Sequence, residues 1–187
     1  MLEVKETFKK EVKSLKDFIL FITVDAKNYQ KTAIDVVSFL VNEKRIPGIY
    51  VTLNKPYEIV QRNLANNGID TRLMIFIDAT SRAEERKVGN CLCIGSPEKL
   101  SDMSVAMEQA INALPTDEKF LVFDSLNTLS IFNKPGTVIR FLHFLTGKMR
   151  EWKIEGIIIT LKRETEQALA DYLMQFSDAN IEVGGES

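Results

Sequence analysis

Glycine is missing from the first 47 residues of this 187-residue chain: nine occur in all, and the first is Gly48. That stretch lacks the backbone freedom on which a phosphate-cradling loop normally draws. Cysteine is confined to Cys91 and Cys93, one residue apart and too close to staple a fold. With a single histidine, His143, the CxC pair makes no zinc site, and its thiols fit a reducing interior. No apolar run reaches the ~20 residues of a membrane-spanning helix. The opening residues, MLEVKETFKKEVKSLKD, lack the apolar segment of a signal peptide. A cytoplasmic chain without membrane association is the expectation. Neither sign of charge dominates, since 24 Lys and Arg against 26 Asp and Glu leave a net −2. Nucleic-acid binders usually carry a clear basic excess, so the balance argues against that class of partner.

What is present is the composition of a globular protein. Hydrophobic residues at 45% and charged residues at 27% supply both a core and a solvated surface. The length suits one domain, 1–187, and no repeat, low-complexity tract or linker divides it. Val4, Phe8, Val12 and Leu15 recur at helical spacing and predict a surface helix over 3–16, ahead of a core over 18–183. Helices are also predicted over 31–44, 56–66, 98–113, 136–151 and 164–176. Apolar runs predict strands over 18–24, 49–53, 73–78, 91–94, 119–125, 156–161 and 179–183. Strands alternating with helices imply an α/β fold with a doubly wound, parallel sheet. Residues 79–90 form a polar connection, in which Arg82, Glu84, Glu85, Arg86 and Lys87 read as a solvated segment or a partner contact. Cys91 and Cys93 alternate as strand residues, with both thiols buried on one face. His143 reads as a packed or rim histidine, Trp152 as a boundary residue, and the eleven phenylalanines as core.

In an open α/β sheet, ligands bind beyond the carboxyl ends of the strands. The first strand is followed by Asp25-Ala26-Lys27-Asn28-Tyr29-Gln30-Lys31-Thr32. A Walker A loop, G-x-x-x-x-G-K-[ST], needs glycines at the first and sixth positions. Here Lys31 and Thr32 fit at the predicted helix start, while Asp25 and Gln30 stand at the glycine positions. Further on, Leu121-Val122-Phe123-Asp124-Ser125 has the shape of a Walker B strand, whose aspartate helps to hold magnesium. Each half alone has an ordinary reading: Lys31 as a solvated helix residue, Thr32 as a first-turn residue, Asp124 as a loop cap. The correct order and context of the two make the pair specific.

On these residues the chain resembles the RecA-fold P-loop ATPases, in particular their KaiC-like branch. The likeness runs through Lys31-Thr32 to Phe39-Leu40, Ile49 to Leu53, Pro56, Asn67 to Asp70, Leu121 to Leu126, Gly156 to Leu161 and Asp178 to Val183. It covers roughly 18–183 and implies a RecA-like (P-loop NTPase type) three-layer αβα sandwich with a mainly parallel central sheet. Three departures accompany it. The charged segment 3–16 takes the place of a glycine-rich lead-in, the loop glycines are missing, and Asn54 and Lys55 stand where the family carries paired glutamates.

A side chain at Gln30 intrudes where backbone should approach a nucleotide, and Asp25 adds negative charge beside a polyanion. Neither Asn54 nor Lys55 is a carboxylate that could activate water. The resemblance with these losses implies a pseudo-ATPase: Lys31, Thr32 and Asp124 form a vestigial nucleotide site, with no catalytic residue and no metal. No cofactor is expected, or Mg-ATP if the nucleotide site still functions. Asp78, Glu84 and Glu85 are the candidate replacement carboxylates. The expected role is regulatory or scaffolding, with protein partners that are further copies of the chain or an active KaiC-like paralogue. An ATP-binding protein or weak ATPase is the alternative, and a DNA-associated RecA-like protein a third.

Overall fold

The computed structural model describes residues 4–80, 86–162 and 167–184. Among the described residues eight strands form one sheet: β1 (Ile19–Val24), β2 (Gly48–Thr52), β3 (Met74–Asp78), β4 (Arg86–Val88), β5 (Cys91–Cys93), β6 (Phe120–Asp124), β7 (Glu155–Leu161) and β8 (Ala179–Val183). Their order is β4-β5-β3-β2-β6-β7-β1-β8, parallel throughout except for the antiparallel β4–β5 pair at one edge. The inner strands β2 and β6 are buried along their whole length. This explains why they appear in the sequence as continuous apolar runs: helices cover both faces.

Those covers are, among the described residues, the α-helices α1 (Val4–Val12), α2 (Tyr29–Ser38), α3 (Tyr57–Asn66), α4 (Leu100–Ala113), α5 (Leu126–Phe132), α6 (Pro135–Trp152) and α7 (Gln167–Phe176). On one face Phe8, Val36, Val37 and Leu64 of α1–α3 pack against Leu20, Ile22, Tyr50 and Val122. On the other Met103, Met107, Leu142 and Leu173 of α4–α7 pack against Phe21, Val51, Phe123 and Ile158. Alternate residues of each strand thus serve alternate cores, and the molecule is a three-layer αβα sandwich. At β2 the sheet tolerates no side chain on Gly48, because a Cβ there would overlap the Phe120 ring of β6.

The sequence and the structure differ at several boundaries. The helix expected over 3–16 ends at Val12. The helix expected over 31–44 begins two residues earlier, at Tyr29, and its last turn, Phe39–Glu43, loosens to π-type pairing. Lys31 and Thr32 therefore lie inside the first turn of α2 rather than opening it. Two elements had no expectation: α5, and β4, which pairs back on β5 across Gly89 and Asn90. The expected carboxylates Glu84 and Glu85, with Arg82, lie outside the described residues, as do positions 164–166. Cys91 and Cys93 share one buried face, their sulfurs 3.9 Å apart. His143 is a rim residue whose Nδ1 meets the Tyr172 hydroxyl at 2.7 Å, and Trp152 packs partly buried against the core. Two phenylalanines depart from the core expectation, since Phe132 and Phe144 are exposed.

Candidate functional site

Strands β2 and β6 are neighbours in the sheet, yet β2 leads through α3 to β3 on one side, while β6 leads through α5 and α6 to β7 on the other. This reversal opens a crevice beyond their carboxyl ends, the usual place for a ligand in such sheets. Register sets Thr52 of β2 opposite Asp124 of β6, so Asp124 stands at the mouth of the crevice. Tyr50, two residues before Thr52, lies on the same face and donates its hydroxyl proton to Asp124 Oδ2. Asp124 Oδ1 is buried without a hydrogen-bond partner among the described residues. Burial pushes the Asp124 carboxyl up to about 7, and it raises the Tyr50 phenol well above its ordinary value. Tyr50 is therefore a fixed donor at any ordinary pH.

The turn between β1 and α2 is short, comprising Asp25, Ala26, Lys27 and Asn28. Asp25 Oδ1 accepts the backbone N–H of Asn28 at 2.8 Å and its side-chain amide at 2.9 Å. This is an Asx-type turn, and no residue from 25 to 30 has the positive φ that a glycine would supply. Gly184, at φ 77, gives Asp25 its space, because a Cβ there would overlap Oδ2. Lys31 pairs with Asp35 one turn further on, at 2.8 Å. Thr32 is fully buried, and its hydroxyl oxygen has no hydrogen-bond partner among the described residues.

The segment after β2 faces α2 directly. Lys55 Nζ donates to Gln30 Oε1 at 3.3 Å, and Asn54 Nδ2 approaches the Tyr29 hydroxyl at 3.5 Å. Asn54 Nδ2 also donates to Ser125 Oγ at 2.5 Å, while Thr128 donates to Asn54 Oδ1. Both ends of this carboxamide are thus tied to the start of α5. Positions that the sequence marks separately, Gln30 on α2 and Asn54 and Lys55 after β2, belong to one contact. Below that contact a cavity of about 210 Å³ opens between α2 and α3, walled by Ala33, Ile34, Val60, Leu64 and Leu161, with Asp124 and Tyr50 also lining it.

Both carboxylate oxygens of Asp78 accept backbone amides. Its Oδ2 accepts the N–H of Tyr57, the first residue of α3, at 2.8 Å, and its Oδ1 accepts from Thr80 N at 2.7 Å. It acts as a cap, satisfying a helix-start amide. No site role was given to Tyr50, Ser125 or Thr128 in the sequence. Only Tyr50 left a signal there: a tyrosine within an apolar strand must find a partner for its hydroxyl.

This donor set matches Mg-ATP incompletely. Thr32 and Asp124 are the residue types that hold magnesium in P-loop enzymes, and each keeps one unpartnered buried oxygen. The loop ahead of α2, however, presents a carboxylate where a phosphate needs free backbone amides. One amide that a phosphate would use, that of Asn28, is thus already bonded within the chain.

Similarity to known proteins agrees with the topology. The model of the family described as "ATPase: KaiC" matches residues 26–183. Comparison with curated proteins returns no match. Among solved structures, a KaiC-like protein of the hyperthermophilic archaeon Pyrococcus horikoshii OT3 superposes with a TM-score of 0.63 at 14% identity, over 84% of this chain and 68% of that one. At that identity the likeness speaks for the fold alone, and the family match speaks for descent. The chain belongs to the KaiC family of RecA-fold ATPase domains.

Proposed function

We propose that this KaiC-family domain does not turn over ATP and acts as a regulatory or scaffolding partner of other proteins, either further copies of itself or an active relative. The observation that carries this reading is the bond from Asn28 N–H to Asp25. A helix start with free amides attracts anions, and here the chain's own carboxylate holds that position. Asn54 supports the reading, being a carboxamide bonded at both ends and unable to take a proton from water. The layer of α4–α7 carries exposed Val105, Ile131, Phe132, Phe144 and Met174, which supports a protein partner.

Titration with a fluorescent ATP analogue and magnesium tests the proposal, alongside an assay of phosphate release. The expectation is neither saturable micromolar binding nor turnover. Binding that Lys31→Ala abolishes, or phosphate release that Asp124→Asn abolishes, overturns it. A second reading, nucleotide binding without hydrolysis, is favoured by the unpartnered oxygens of Thr32 and Asp124. It predicts saturable binding with no phosphate release. Light scattering, and co-elution with a hydrolysing KaiC-family protein, test the partner claim. Salt-sensitive retention on single-stranded DNA would point to a nucleic-acid role instead.

A further inference from the structure

The lining of the cavity between α2 and α3 changes character with depth. Ala33, Val60 and Leu64 are buried and aliphatic, whereas Gln30, Asn54 and Lys55 are exposed and polar. Such a gradient suits a ligand with an apolar body and a polar head that stays near solvent. We propose that this cavity binds a small monocarboxylate with a compact apolar body, its carboxylate meeting the Lys55 ammonium and its hydrocarbon part lying between the two helices. The volume is about 210 Å³. Apolar protein cavities of about 150 Å³ already take up benzene, so this space admits one ring with a short substituent.

The head group follows from the polar residues. Lys55 and Asp124 are the charged residues in the lining. Asp124 is closed to a ligand, since Tyr50 occupies Oδ2 and Oδ1 is shut away from the space. Burial lifts its carboxyl to about 7, so below that value it is mostly uncharged and repels no anion. Lys55 is open. One of its three N–H donors reaches Gln30 Oε1 at 3.3 Å, and among the described residues no carboxylate pairs with it. A neutral carboxamide at that distance is a weak partner, and an ionised carboxylate makes a stronger, charge-assisted bond. The Asn54 carboxamide is already committed to Ser125 and Thr128, so the head group depends on Lys55. The Tyr29 hydroxyl and the Asn63 amide, also in the lining, are neutral donors for the second carboxylate oxygen. One cation matches a monoanion, and a phosphate ester brings a second charge with no second cation to meet it. The inference goes beyond the function proposed above and stands whether or not ATP is bound or hydrolysed.

Benzoate is the probe, titrated into the isotope-labelled full chain at ~pH 6 and followed by amide chemical shifts. Saturable shifts of residues lining the cavity are expected, with affinity in the ~millimolar range and at least ~tenfold weaker binding of toluene, benzylamine and phenyl phosphate. Lys55→Met keeps the stem and removes the charge; it weakens benzoate by at least ~tenfold and leaves toluene unchanged, while Lys55→Arg retains binding. Ala33→Leu fills the inner space and abolishes binding. Spectra of each variant without ligand establish that it is folded, and Ile34→Phe replaces the filling change if Ala33→Leu is not. The proposal is overturned by an absence of saturable shifts, by any of the three comparison ligands binding as tightly as benzoate, or by benzoate binding that survives Lys55→Met or the filling change. Mg-ATP titrated into a separate sample reports on the function proposed above, so the two readings fail independently.

Discussion

Tyr50 of β2 donates its hydroxyl proton to Asp124 of β6, and the two side chains are buried together where the sheet reverses its order. Main-chain register makes the bond possible. Tyr50 is paired with Val122, and a step of two residues along β6 brings Asp124 onto the same face. One carboxylate oxygen is satisfied and the other is not, so the ionised form is held in a poor environment.

That environment makes stability depend on pH. Burial raises Asp124 from its ordinary 3.8 to about 7 in the folded protein. Between those values the folded state binds more protons than the unfolded state, so stability falls as pH rises. The contribution is complete below the unfolded value and is lost through about 7. Relative to Asp124→Asn, the wild type is expected to lose about 2–3 kcal/mol between ~pH 5 and ~pH 8. Urea denaturation of both proteins at the two pH values measures this, and parallel profiles would contradict it.

Tyr50→Phe removes the single donor to Oδ2 and leaves the carboxyl wholly unpartnered among the described residues. A loss of about 1–3 kcal/mol is expected, because a buried acceptor then goes unsatisfied. The loss is larger at alkaline than at acid pH, since the ionised carboxylate needs the donor more. Equal losses at both pH values would show that the hydroxyl contributes only packing.

Gly184→Ala tests the turn before α2. At φ 77 a side chain is strained, and its Cβ would overlap Asp25 Oδ2. Destabilisation of about 1–3 kcal/mol is expected, together with faster hydrogen exchange at the Asn28 amide, whose acceptor is displaced. Removing the obstructing carboxylate by Asp25→Ala should make the added cost of Gly184→Ala smaller. Additive effects in the double variant would argue that the two residues do not meet.

Gly48→Ala tests the close approach of β2 to β6, where the added methyl would overlap the Phe120 ring. Overpacking of this kind costs about 1–3 kcal/mol. Phe120→Leu opens space and is expected to reduce the penalty of the glycine change. A thermal-denaturation cycle of the four proteins gives the coupling, and a coupling near zero contradicts the contact.

Much of the sandwich is legible in the sequence because its strands are buried on both faces. The run from Ile19 to Val24 and the run from Phe120 to Asp124 are apolar almost without interruption, and only a two-faced sheet asks for that. β4 was hidden because Arg86–Val88 is three residues long and has no period to detect. α5 was hidden because Leu126–Phe132 is barely two turns and mixes helix-neutral with β-branched residues. The early start of α2 at Tyr29 was hidden for a different reason: Asp25 closes the turn through Asn28, and that interaction is invisible until both are placed.

The sequence by itself determined the layering, the position of Asp124 at a strand end, and the absence of glycine before Gly48, because burial and backbone freedom are written in residue type and period. Tertiary structure decided which groups meet. It turned Lys31 onto Asp35, made Asp78 a cap for α3, and set Gln30 against Lys55 and Asn54 against Tyr29. The physical reason is separation along the chain. Gln30 and Lys55 lie 25 residues apart, and Tyr50 and Asp124 lie 74 apart. No local period or propensity encodes such pairs, and only the packing of helices on a common sheet brings them within reach of one another.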